Sequence, residues 1–158
     1  MPLFLFLAAV ILLGSVTVAK LGGTPKIERS LQTLESGFRT RFIRFLGAAA
    51  DQGKPLLVSE TRRTPERQAW LYGSGRPTYV YKGVKYGRPG PWLTDRSPEN
   101  PSEHQKDEAA DTIPHPSSGV KADSVDAVAY LRSLEPLAKT FGLKNLPSKQ
   151  DYGHWENA

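Results

Sequence analysis

Ile27, Leu31, Leu34, Phe38, Phe42 and Phe45 follow one another at steps of three and four, the spacing that lines one face of an α-helix. Thr24-Pro25 before them reads as an N-cap with proline at the first helical position. The pattern predicts a helix from about Pro25 to Ala50, ended by Gln52-Gly53. PLLVSE, 55–60, is a short apolar run after a turn and predicts a buried strand. Thr64-Pro65 repeats the cap-plus-proline signature and starts a short helix carrying Gln68, Trp70 and Leu71.

From Gly73 to Pro101 the periodicity stops and Gly, Pro, Tyr and basic residues take over. This predicts a long loop with a hairpin at Lys82-Gly83, where TYVY and VKY flank the turn. Loops of this length in compact domains tend to form functional rims. Periodicity returns between about Ser124 and Phe141, with Asp123 as cap and Gly142 as stop. Pro136 must kink or split that helix. Helices and strands in this order, with a strand-rich centre and a terminal strand, indicate a small α+β domain.

The first residues stand apart. PLFLFLAAVILLGSVTVA, 2–19, carries no charged side chain and as a helix would just span a hydrocarbon core of about 30 Å. Thr17-Val18-Ala19 loosely resembles a small-x-small cleavage site, yet no Lys or Arg precedes the run. Lys20, Lys26 and Arg29 follow it instead, which favours a cytoplasmic C-terminal side. Residues 1–23 are read as a signal peptide or membrane anchor with Leu21-Gly22-Gly23 as a short joint, and 24–158 as the working domain. The chain is expected to be membrane-associated or exported.

Composition narrows the chemistry. The chain has no cysteine, which excludes disulfides, thiolate zinc sites and cysteine nucleophiles. A net charge of +5 favours anionic surfaces. Its basic residues are dispersed, with no nucleic-acid motif, so nucleic acid ranks last among partners. The only histidines are His104, His115 and His154.

SEHQKDEAAD, 102–111, puts His104 seven residues before Asp111. On one helix they would lie about 10.5 Å apart along the axis, too far to share an ion. If both are ligands, the segment must fold back, for example as two short strands with QKDE as the turn and AADTI as a strand. His154, in DYGHWE, is then the better third ligand, and Asp151 lies three residues before it. Two His and one Asp leave an open fourth position, the mark of a catalytic zinc. Spacing alone leaves ordinary polar loops as the alternative.

The surrounding letters add to this. SEHQKDEAAD resembles the Ser-x-His-x-x-Gly-x-Ala-x-Asp motif of the zinc D-Ala-D-Ala carboxypeptidase and L-alanyl-D-glutamate endopeptidase family, peptidoglycan peptidases of bacteria and their phages. DYGHWE resembles its closing Asp/Glu-x-x-His motif. VSETRRTPERQAWLYGSGR, 58–76, resembles its Glu-Gly-Tyr-Arg-Thr-x-x-x-Gln segment, and GPWLTD, 90–95, the stretch before its Ser-x-His. The four stand in the family's order and cover nearly everything from the first long helix onward.

The resemblance implies a small antiparallel sheet with flanking helices around one Zn²⁺, held by His104, Asp111 and His154. It implies that Asp151 is the catalytic carboxylate, that Arg63 contacts the substrate or the developing oxyanion, and that Ser102 and Gln68 bind the peptide. The expected activity is hydrolysis of peptidoglycan stem peptides, with L-Ala-D-Glu cleavage favoured over D-Ala-D-Ala carboxypeptidase action because little stands beyond the core. A monomeric endolysin or virion-associated lytic enzyme fits; the rival is a non-catalytic wall-binding or virion structural protein, which would have no need of Asp151. Two departures stand out: Asp107 replaces glycine, and Arg62 replaces the aromatic before Arg63, leaving open which arginine faces the cleft. His115 reads as a rim-loop residue. Trp70, Trp92 and Trp155 read as packing residues rather than sugar platforms, with Trp92 the one open to contact with glycan.

Overall fold

The main sheet has four antiparallel strands in the order β2-β5-β7-β6: β2 Leu56–Glu60, β5 Ala109–Pro114, β7 Asp151–Asn157 and β6 Leu143–Leu146. The computed structural model describes residues 19–147 and 151–158; the apolar stretch 2–18 lies outside them. One face of the sheet is packed by α1, Ser36–Asp51, and by α4, Glu135–Thr140. Phe38, Phe42, Phe45, Ala110, Leu134, Leu143 and Trp155 form the core between them, all fully buried. Phe45 lies against Trp155 with ring centroids 4.8 Å apart. The Trp155 indole donates to Thr112 Oγ1 at 2.8 Å, so its polar edge is satisfied in the interior.

α1 begins eleven residues later than the apolar stripe predicts. Glu35 is its N-cap and accepts from the backbone N–H of Gly37 and Phe38. Before it, Leu31–Thr33 makes a single 3₁₀ turn. The chain around Glu28 instead runs alongside the end of β2, with Thr61 N–H donating to the Glu28 carbonyl and Arg29 Nε to the Ser59 carbonyl. Those partners outcompete the intrahelical bonds that the stripe alone suggests.

α2, Pro65–Tyr72, starts where predicted, with the Thr64 side chain accepting from Arg67 N–H. The hairpin also stands as read: β3, Val80–Tyr81, and β4, Val84–Lys85, flank Lys82 (φ 47°) and Gly83 (φ 75°). Both turn residues are left-handed, as a type I′ turn requires. Leu21 and Gly22 form no free joint: β1, Lys20–Leu21, pairs in parallel with β4, and Gly22 N–H donates to the Lys85 carbonyl. The predicted C-terminal helix is split. α3, Val125–Arg132, is capped by Ser124 rather than Asp123, and Pro136 sits in the first turn of α4. Among the described residues no helix is long and apolar enough to cross a membrane.

Candidate metal centre

Strand pairing sets the site. Asp111 on β5 stands opposite His154 on β7, and Glu60 on β2 stands opposite Asp111. These three side chains form a row across the sheet, on the face away from Ala110 and Trp155. β5 and β7 approach closely beside this row, because a side chain at Gly153 would overlap the Thr112 carbonyl.

His104 arrives from a 3₁₀ turn, Glu103–Lys106, rather than from the short strand expected there. Gln105 closes that turn by accepting from Ser102 N–H through its side chain. Asp107 ends it in the left-handed conformation, φ 64°. An aspartate tolerates that region better than most residues, which is how it stands where the motif this segment resembles has glycine. The reversal carries the chain directly into β5, so residues seven apart meet.

The convergence is tight. His104 Nε2 lies 3.0 Å from Asp111 Oδ1 and 3.2 Å from His154 Nδ1, and His154 Nδ1 lies 3.0 Å from Asp111 Oδ1. Among the described residues these three form a group able to hold a metal ion. Tetrahedral zinc with bonds of about 2.0 Å needs ligand atoms about 3.3 Å apart, close to this triangle. The far nitrogens fix the tautomers. His104 Nδ1 lies 2.5 Å from the Thr61 carbonyl, and His154 Nε2 lies 3.0 Å from Glu156 Oε2. Both partners accept only, so each outer nitrogen carries the proton. In the neutral rings both inner nitrogens then present lone pairs, and with the carboxylate they make three donors aimed at one point. The donor set fits zinc.

Electrostatics follow from the same contacts. Burial works to raise the Asp111 carboxyl, but the charge and hydrogen bonds of His104 and His154 outweigh it and hold it well below the usual carboxylate range. For His154, burial works against the charged ring, yet hydrogen bonds to Asp111 and Glu156 raise it to about 9.

Asp111 divides its oxygens. Oδ1 faces the histidines, while Oδ2 accepts from Arg63 Nη2 at 3.2 Å. Arg63 is held on its other side by Glu60, through Nε at 3.1 Å and Nη2 at 2.6 Å. Glu60 also accepts from Arg67 Nε at 2.8 Å. Arg63 lines the cleft, whereas Arg62 is exposed and lies 3.4 Å from Asp107. The cleft has a volume of about 770 Å³ and is lined by the three candidate ligands together with Arg63, Ser102, Asp151 and Glu156. Asp151 is exposed at the edge of the cleft, yet partial desolvation of its carboxyl, and then the charge of Asp111, push it above the ordinary aspartate range.

Gln68 is fully buried and does not line the cleft. Its amide donates to the Arg96 carbonyl at 2.5 Å and its oxygen lies 3.4 Å from Ser102 Oγ. His115 lies outside the cleft and caps the turn Pro116–Ser118. Glu60, Thr61 and Glu156 also support the site, and the sequence motifs do not single them out. Glu156 had a readable cue, since two residues after a strand histidine lies on the same face.

No family model matches the chain, and no curated protein matches it. Solved structures are similar to it. One is a zinc-bound mutant of the vancomycin-resistance D,D-pentapeptidase VanY from the VanB-type cassette, at 16% identity and a TM-score of 0.49 over 78% of this chain and 72% of that one. Another is VanYB in complex with D-alanine-D-alanine, also at 16% identity and 0.49, over 78% and 71%.

Proposed function

We propose that this chain is a zinc-dependent peptidase of peptidoglycan stem peptides, cutting between L-Ala and D-Glu in preference to removing terminal D-Ala. The observation that carries the reading is the set of three lone-pair donors, His104, Asp111 and His154, converging in a cleft beside the Asp151 carboxyl. The four ordered motifs supply the substrate class. Zinc held by His104, Asp111 and His154 would supply a Lewis acid able to polarise a scissile carbonyl and acidify water.

The remaining work falls to the chain's own side chains. Asp151 takes a proton from the attacking water on its carboxyl oxygen and returns it to the leaving amine. Its affinity for protons is shifted upward by partial burial and by the Asp111 charge, the direction that helps a carboxylate accept a proton and hand it on. Arg63, fixed by Glu60 and Asp111, holds positive charge where negative charge develops. Ser102 lines the cleft within reach of the peptide, and Gln68 braces Ser102 and the Arg96 loop from behind. The apolar stretch 2–19 is read as delivering the domain, as a monomer, to the wall side of a membrane.

Incubating the full chain with peptidoglycan and mass-analysing the fragments tests this. Cleavage after L-Ala exposes a new D-Glu amino terminus; D,D-carboxypeptidase action releases free D-Ala. Asp151→Asn should keep zinc and fold yet lower turnover by about 10²–10⁴-fold. Zinc retention with no cleavage by the wild type would favour a non-catalytic wall-binding protein.

A further inference from the structure

Of the three tryptophans, Trp155 is fully buried in the core, and Trp70 is partly buried, with the Arg88 and Arg67 guanidiniums 3.6 and 5.0 Å from its ring centre. Trp92 is different. It is 70% exposed, although exposing a large aromatic costs the hydrophobic stabilisation that burial would give. The exposure is not that of a loose side chain. Gly75 (φ 73°) leaves room for the indole, since a β-carbon there would overlap the Trp92 ring. The Arg76 guanidinium lies 4.1 Å from the centre of the Trp92 ring and 3.8 Å from that of Tyr72, and Arg76 Nη1 is tied to the Tyr72 carbonyl at 2.5 Å. Trp92 is therefore backed by an ordered stack and still open to solvent.

Trp92 also lines the same cleft as the candidate metal ligands, beside Leu93, Thr94, Asp95 and Arg96. An exposed π-face in a cleft that also carries the polar residues Thr94, Asp95 and Arg96 suits a pyranose ring. Its axial C–H groups meet the electron-rich ring face, and its hydroxyl and acetamido groups meet the polar neighbours. A membrane surface would call for an apolar tip projecting from the protein, whereas Trp92 lines a cleft shared with Arg63, Asp95, Arg96 and Glu103.

We propose that Trp92 is a stacking platform for an N-acetylated pyranose of the glycan strand to which the stem peptide is attached. Trp92 takes the sugar while the metal end of the cleft takes the peptide. This rests on the peptidoglycan reading for the identity of the sugar, but its test needs neither bound metal nor turnover.

The probe is a β-1,4-linked tetramer of N-acetylglucosamine, titrated into the full chain and followed by calorimetry and by the three indole N–H resonances. The resonance that disappears in Trp92→Phe should be the one that moves with sugar in the wild type. Trp92→Ala should weaken binding by about tenfold or more, the scale of a lost aromatic contact, and Trp92→Phe should retain most of it. Equal binding by wild type and Trp92→Ala would overturn the proposal. So would no binding by the wild type, or a Trp92 response to phosphatidylglycerol vesicles but not to sugar. Failure to cleave stem peptides would count against the peptidase reading and leave this titration intact.

Discussion

Replacing Glu156 by alanine should weaken zinc binding by about 10- to 100-fold without unfolding the domain. Glu156 Oε2 accepts from His154 Nε2 at 3.0 Å. That bond holds the proton on the outer nitrogen and leaves Nδ1 free to face Asp111 and His104. Its carboxyl is held below the ordinary glutamate range chiefly by this bond, so the acceptor is charged. A hydrogen bond to a charged group contributes about 1.5–3 kcal/mol, and a 10- to 100-fold change in affinity corresponds to about 1.4–2.7 kcal/mol; the two scales agree. Glu156→Gln keeps an acceptor oxygen and loses only charge, so its effect should fall between those of wild type and alanine. Lys144 lies 3.5 Å from Glu156 Oε1 but is half exposed, and such pairs contribute little. Lys144→Ala should therefore leave affinity almost unchanged. Competition against a chromophoric chelator gives the affinities, and far-UV circular dichroism checks the fold. Wild-type affinity in Glu156→Ala, or an equal loss in Lys144→Ala, would refute the tautomer argument.

Three further outcomes are expected. Phe45→Ala removes a fully buried ring packed on Trp155, Phe42 and Phe141, and should cost about 3–5 kcal/mol, measured as a fall in the urea midpoint. Asp107→Gly should be neutral or stabilising by up to about 1 kcal/mol because φ is 64°, whereas Asp107→Val should destabilise by about 1–2 kcal/mol. In metal-free protein, protonated His154 has a folded value of about 9 against 6.5 unfolded. Its stabilisation is complete below about pH 6.5 and disappears as pH rises through 9. The melting temperature of chelated protein should therefore fall across that window, while saturating zinc should remove the fall by displacing the proton; a flat profile in chelated protein would contradict it.

Local chemistry made part of this fold legible. The Thr64-Pro65 cap and the Lys82-Gly83 turn are decided by neighbours in sequence, and both stand where read. The stripe overextends the first helix because Ile27, Leu31 and Leu34 keep helical spacing while the backbone among them bonds elsewhere, the Glu28 carbonyl to Thr61 N–H across the sheet end and the Leu31 carbonyl within a 3₁₀ turn. No periodicity reveals a partner about thirty residues away. The His104–Asp111 pairing was legible only as a requirement that the chain fold back. The device that does it, a 3₁₀ turn ended by left-handed Asp107, depends on tertiary contacts such as the Glu35 N–H donating to the Asp107 carbonyl at 2.8 Å. The letter at Trp92 does not tell a ring that packs from a ring that is displayed, as this one is.

The triangle of ligand atoms joins parts of the chain that are far apart in sequence, 43 residues between Asp111 and His154 and 50 between His104 and His154. A cross-link closing a loop of that size removes about 4 kcal/mol of unfolded-chain entropy. An ion present at about a thousand times its dissociation constant stabilises the folded state by about the same amount. In a chain with no cysteine, such an ion would be a staple of the kind that small domains otherwise draw from disulfides. The chain's resistance to proteases would then track free zinc and be indifferent to redox conditions, and a chelator would act on it as a mild denaturant.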